Sequence, residues 1–221
     1  MTPRNSLAGA AAIAMTLLGG AAAQADSVAI VTPGFEANVL GDGGFTVVPP
    51  TGWALFSGSS SLGTFNPTTA QLVAPPEGTQ VAYLNGFAAI EQTLGSSVAA
   101  GDYVLSADFA YRKDCCTPGP FTLTLLAGSS VLGSFTGGLL DGFSNTAFKT
   151  AFVNVLVAGD SPFIGAALGI RIEGKGGSQV DIDNVSLNFT PAAPVPLPAS
   201  GLLLAPALFG LARLARRSAR A

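Results

Sequence analysis

The sequence contains no histidine, only two cysteines and one tryptophan, and charged residues fill just 10% of its 221 positions. Without histidine the ordinary Ser/His and Cys/His nucleophile pairs are excluded. The Gly-x-Ser-x-Gly and phosphate-loop patterns are missing as well. Paired carboxylates remain as one catalytic possibility, but the acidic residues mostly fall in turn-like segments and no cleft pair stands out. The expectation is therefore a non-catalytic protein, not an enzyme. Lys, Glu and Arg are scarce and no amphipathic helix emerges from the periodicity. No apolar run reaches the roughly 20 residues that span a bilayer comfortably.

What is present is glycine (28 residues) and short alternating segments. In Tyr103-Val104-Leu105-Ser106-Ala107-Asp108-Phe109-Ala110-Tyr111 the odd positions are apolar and the even ones mixed, the period of a strand with one packed face. The same pattern runs over 121–125, 151–155 and 168–172, and shorter strands are expected at 27–31, 53–57, 80–84, 88–94, 131–135 and 180–189. Turn material separates them, as in Gly41-Asp42-Gly43-Gly44 and Gly174-Lys175-Gly176-Gly177. About ten short strands at this spacing predict an all-β, antiparallel β-sandwich. The last strand changes phase: Val180 and Ile182 are apolar at even positions, Val185, Leu187 and Phe189 at odd ones. A bulge near Asp183-Asn184 would restore the register, placing Asp181 or Asp183 where a carboxylate needs a partner.

The two ends read as addresses. Arg4, an apolar stretch over 7–23 and the small-residue site Ala23-Gln24-Ala25 describe a signal peptide, 1–25, in an N-terminal helix. The folded unit is then 26–190, with a proline-stiffened linker at 191–194 and a distinct tail at 195–221. Between Asp26 and Asp183 lie all 13 acidic residues against five basic ones, leaving −8. So acidic a domain, with no basic stripe, argues against nucleic acid as a partner. Export would expose the adjacent Cys115 and Cys116 to an oxidising compartment. A vicinal disulfide, crosslinks between molecules and two free thiols are the open alternatives.

Two resemblances complete this reading. The tail carries Val195-Pro196-Leu197-Pro198, an apolar stretch over 199–212 and Arg213, Arg216 and Arg217. It resembles a PEP-CTERM sorting signal, in which the Pro-Glu-Pro motif takes the Val-Pro-Leu-Pro-Ala form. That implies a C-terminal hydrophobic helix with the arginines as membrane stop. It also implies an exosortase-like processing partner, transient residence in the inner membrane, and final localisation in the cell envelope or outside the cell. Pro33-Gly34-Phe35-Glu36-Ala37-Asn38, Thr51-Gly52-Trp53, the segment 78–94 and Val180-Asp181-Ile182-Asp183-Asn184-Val185 together resemble a galactose-binding-type, carbohydrate-binding-module-like jelly roll. This second resemblance implies a structural calcium between Glu36 and Asp183, although both could instead accept backbone hydrogen bonds. It further implies a glycan or polysaccharide partner, with Tyr111 and Arg112 as candidate contacts. Together they lead to an exported surface or exopolysaccharide-matrix protein, or alternatively a carbohydrate-binding module.

Overall fold

The computed structural model describes residues 24–58, 61–177 and 179–193. The segments assigned to a signal helix, to the sorting motif Val195–Pro198 and to the Arg213, Arg216 and Arg217 stop lie outside the described residues. Among the described residues no helix is long and apolar enough to cross a membrane.

The described residues form eleven strands: β1 (Asp26–Ser27), β2 (Ala54–Ser57), β3 (Leu62–Phe65), β4 (Val81–Asn85), β5 (Ala89–Ser97), β6 (Gly101–Ala110), β7 (Phe121–Ala127), β8 (Ser130–Gly137), β9 (Lys149–Val157), β10 (Ala167–Gly174) and β11 (Gln179–Pro191). They form two antiparallel sheets. The first runs β3-β4-β11-β6-β9, with β1 also on β11; the second runs β2-β5-β10-β7-β8. Thus the all-β sandwich expected from alternation is the observed architecture. One strand, β3, was not anticipated, because Leu62-Gly63-Thr64-Phe65 follows a serine-rich stretch and has no alternating apolar signal.

The inward faces meet in a single core. From β6 come Tyr103, Leu105, Ala107 and Phe109, followed by Tyr111; from β7 come Phe121, Leu123 and Leu125. Phe109 stacks on Phe121 with ring centroids 3.8 Å apart, and Phe143 meets Phe121 edge-on at 4.8 Å. Such offset and edge contacts add to the apolar area each ring removes from water.

β11 is the centre of the first sheet and carries the irregularity foreseen in the sequence. Its register on β6 shifts between Asp183 and Ser186, and Asn184 adopts a positive φ of 50°. Asparagine tolerates that conformation better than most residues. The bulge lets Val180 and Ile182 before it, and Val185 and Leu187 after it, all enter the core. The alternate residues Gln179, Asp181 and Asp183 consequently face the opposite side of the sheet. That outer side is not open to water. A second apolar cluster of Phe65, Leu72, Val81, Tyr83 and Ala110 covers it, with Val73 and Phe148 packed alongside.

Candidate active site

The covered outer face of the first sheet concentrates the polar chemistry of the molecule. Asp181 pairs with Tyr83 of β4 on one side and with Ala110 of β6 on the other. Its side chain has no solvent exposure. Gln179 Nε2 donates to Asp181 Oδ1 at 2.6 Å, while Oδ2 has no hydrogen-bond partner among the described residues. Burial, only partly offset by the Gln179 hydrogen bond and the nearby Arg112 charge, pushes the Asp181 carboxyl up to about 7. A carboxyl in such surroundings stays protonated near neutrality because its charged form is poorly solvated.

Tyr83 and Gln179, the neighbours of Asp181, line a cleft of ≈190 Å³ together with Phe45, Phe65, Asn85 and Arg112, and Asp181 lies behind that wall. The cleft walls are tied down. The Tyr83 hydroxyl donates to Thr46 O at 2.6 Å, and the Phe45 ring meets Tyr83 edge-on at 6.5 Å. Burial raises the Tyr83 phenol above its ordinary value, so it stays neutral. Arg112 lies over the Phe65 ring at 4.6 Å and pairs with Asp114 through two hydrogen bonds of 2.8 and 2.7 Å. That pairing holds the Asp114 carboxyl below the usual carboxylate range. Asn85 and Gln179 also border a larger cleft of ≈530 Å³ that reaches Phe87 and Cys116. The arrangement is an aromatic-walled slot beside a carboxyl whose pKa burial raises to about 7. It suits proton donation to an apolar, unsaturated ligand.

The residues singled out in the sequence are placed as follows. Asp183 is buried, but its oxygens are engaged: Oδ2 accepts from Glu77 N–H at 2.9 Å and Oδ1 from Asn184 N–H at 2.7 Å. Burial first, then the charges of Glu77 and Glu36, raise its carboxyl to about 7 despite those donors. Glu36 Oε1 accepts from Thr79 N–H at 2.8 Å and Gln80 N–H at 2.6 Å. Cys115 and Cys116 are joined in a vicinal disulfide in the β6–β7 loop. Tyr111 does not offer a ring to a glycan: it is buried in the core, and its hydroxyl donates to Gly119 O at 2.8 Å. Burial and the Asp141 charge push that phenol up to about 12. Arg112 sits instead at the aromatic cleft. Tyr83 belongs to the second apolar cluster and also forms part of the cleft wall.

The family described as HpiC1-like, HpiC1 cyclase, matches residues 26–188, nearly the whole of the described chain. The chain belongs to this cyclase family. A cyclase from Fischerella sp. TAU, solved in complex with 4-(1H-indol-3-yl)butan-2-one, is similar at 29% identity and TM-score 0.66, over 76% of this chain and 100% of that one. The Stig cyclase Fisc from Fischerella sp. TAU, in complex with (3Z)-3-(1-methyl-2-pyrrolidinylidene)-3H-indole, is similar at 28% identity and TM-score 0.63, over 76% of this chain and 100% of that one. A tandem CBM22 domain of Xyn10C from Paenibacillus barcinonensis shares 12% identity at TM-score 0.52, over 80% of this chain and 50% of that one, a likeness of fold alone. A comparison with curated proteins finds no match.

Membership of a cyclase family overturns several expectations. The resemblance to a PEP-CTERM protein with a carbohydrate-binding core gives way to the HpiC1-like family, whose match covers the sandwich. The non-catalytic surface or matrix role gives way to an enzyme family with small-molecule complexes. An exosortase, the inner membrane and polysaccharide lose their place as partners for the same reason. Nucleophile–base pairs leave a spacing pattern in a sequence, whereas a single buried carboxylic acid leaves none. Its signal in the sequence was the phase change of β11, which marked Asp181 and Asp183 as carboxylates beside a packed face.

Proposed function

We propose that this protein is a cyclase that closes a ring on an indole-bearing small molecule, using Asp181 as the proton donor. The observation that carries this is the buried Asp181 carboxyl, one oxygen unpartnered among the described residues, behind the Gln179 and Tyr83 wall of an aromatic cleft. The cyclase family and the indole compounds held by the two Fischerella structures support the substrate class.

The chemistry needs no oxidant or reductant. Asp181 gives its proton to a carbon–carbon double bond of the side chain, leaving a carbocation. The π electrons of the ring system then attack that cation to form the new carbon–carbon bond. Loss of a proton from the attacked ring carbon to the Asp181 carboxylate restores both aromaticity and the acid, so the net reaction is an isomerisation. Phe45, Phe65 and Tyr83 line the cleft, and aromatic rings of this kind stabilise a nearby cation. Gln179 and Arg112 border the cleft, the first bonded to Asp181 and the second acting on its charge. Their side chains must shift for substrate to reach the acid. Incubating the chain with a 3-alkenylindole and following conversion to an isomer of unchanged mass tests the proposal. Turnover by the wild type that disappears in Asp181→Asn supports it; equal turnover by both, or none by the wild type, refutes it.

We further propose, at the finer level, that the sandwich is a jelly roll and that Glu36, Glu77 and Asp183 form a cation seat. Crowding of like charge around a buried carboxyl is relieved by a divalent cation, and calcium accepts carboxylate and carbonyl oxygens. Among the described residues no group of three or more acidic, Cys or His side chains is assembled as a metal site. Backbone N–H groups already occupy Glu36 and Asp183, so a cation would have to displace them. It would pin the 33–36 and 77–80 segments to β11 and take no part in the proton transfer. Calcium should raise the thermal midpoint of EDTA-treated protein; no change removes the ion from this account. We also propose export through residues 1–25, with a folded unit at 26–190 followed by a 191–194 linker; the family match over 26–188 supports the start of the folded unit. A mature N-terminus other than Asp26 would argue against that cut.

A further inference from the structure

The Cys115–Cys116 disulfide borders the larger cleft yet contributes little to holding the fold. A link between adjacent residues closes almost no loop, so it removes little freedom from the unfolded chain. The loop that carries it is fastened at both ends by other means. On the entry side, Lys113 N–H donates to Gln71 O at 2.8 Å and its ammonium to Thr69 O at 3.0 Å. On the exit side, the Tyr111 hydroxyl donates to Gly119 O at 2.8 Å and Lys175 N–H to Pro120 O at 2.8 Å. The Gly119 and Gly177 backbones approach so closely that a Cβ on either would collide with the other.

Within this fixed frame Cys116 holds a φ of 76°, a conformation that side-chain-bearing residues seldom adopt without a reason. It lines the ≈530 Å³ cleft together with Phe87, whose side chain is 72% exposed. Gly86 and Gly177 leave bare backbone in the same wall. Sulfur at one edge, an uncovered ring at another and bare backbone at Gly58, Gly86 and Gly177 make a slot suited to a flat aromatic group. Divalent sulfur makes favourable contacts with aromatic rings, and rings stack on one another. Asn85 and Gln179 border both this slot and the aromatic cleft beside Asp181, so one elongated ligand can occupy the two together.

We propose that the Cys115–Cys116 disulfide and Phe87 form an aromatic subsite that seats the flat ring of the substrate and sets its position relative to Asp181. This rests on the reading of the site as a cyclase for indole-bearing compounds. The probe is 4-(1H-indol-3-yl)butan-2-one, titrated calorimetrically into the full chain as wild type, as wild type reduced with dithiothreitol, as Cys115→Ser/Cys116→Ser and as Phe87→Ala. Reduction, the double variant and Phe87→Ala should each weaken binding by about 5- to 10-fold, with the thermal midpoint unmoved. A purely structural disulfide would move the midpoint and not the affinity per folded molecule. Should reduction unfold the chain, Phe87→Ala, the loss of an exposed ring, decides alone. Wild-type binding that none of these changes weakens overturns the subsite and leaves the cyclase reading standing. Failure of the wild type to bind the probe overturns both.

Discussion

Asp181 and Asp183 stand two residues apart on β11, on the same covered face, and burial raises both carboxyls to about 7. Their surroundings are nevertheless of different kinds. Asp183 sits at the bulge, where both oxygens accept backbone N–H groups and join the Glu77 segment to β11. Asp181 lies one turn of the pleat away, behind the wall of an aromatic cleft, with one oxygen held by Gln179 and the other unpartnered among the described residues. A buried carboxyl whose hydrogen bonds are all spent on backbone stabilises a junction. One that retains an uncommitted oxygen beside a cleft has a proton to give. Equal pKa displacement therefore does not mean equal role; the hydrogen-bond partners make the distinction.

The comparison breaks most sharply under substitution. Asp181→Asn should lower kcat for ring closure by about 1,000-fold or more, because an amide keeps the shape but has no acidic proton. Its thermal midpoint should hold or rise, since a costly buried ionisable group is gone. The reciprocal change, Asp183→Ala, should destabilise by about 1–3 kcal/mol through two orphaned backbone donors, read by urea unfolding, with kcat of the folded fraction retained. If instead Asp183→Ala abolished turnover at full stability, the assignment of roles would be reversed.

Smaller effects sharpen the contrast. Gln179→Leu removes the hydrogen bond that lowers the Asp181 pKa. The basic limb of the kcat–pH profile should therefore move upward, while kcat falls about 10-fold as the acid loses its orientation. Stability should also depend on pH. In the folded, calcium-free chain both carboxyls hold protons that the unfolded chain releases above about pH 4. The stabilisation is thus complete below that pH and is lost as pH rises through about 7. A denaturation midpoint that falls between pH 5 and 8, less steeply in either Asp→Asn variant, is the expected result. Tyr83→Phe, which deletes only the hydrogen bond to Thr46 O, should cost about 1 kcal/mol and little activity.

The parts of the molecule governed by side-chain period were legible in the sequence. Tyr103, Leu105, Ala107, Phe109 and Tyr111 alternate and are all buried in the core. The phase change at Val180–Phe189 marked the bulge that the register shows between Asp183 and Ser186. What alternation could not reveal is that the other face of β11 is covered too. The second cluster assembles Phe65, Leu72, Val81, Tyr83 and Ala110 from separate strands and a connecting segment, a proximity that exists only in three dimensions. Alternation therefore marks Asp181 as a carboxyl in need of a partner but does not bring Tyr83, Phe45 and Phe65 together around a cleft. Under the proposed mechanism the unpartnered oxygen of Asp181 is the one that carries the transferable proton. The chain has no histidine and hence no ordinary nucleophile pair, but acid-promoted isomerisation requires neither.

The protonation state of Asp181 tests the central claim most directly. Infrared difference spectra of wild type against Asp181→Asn, recorded from pH 5 to 9, isolate its carboxyl stretch. The account predicts a protonated carboxyl band at pH 6 that titrates away with a midpoint near 7. An ionised carboxylate already present at pH 5 would contradict it.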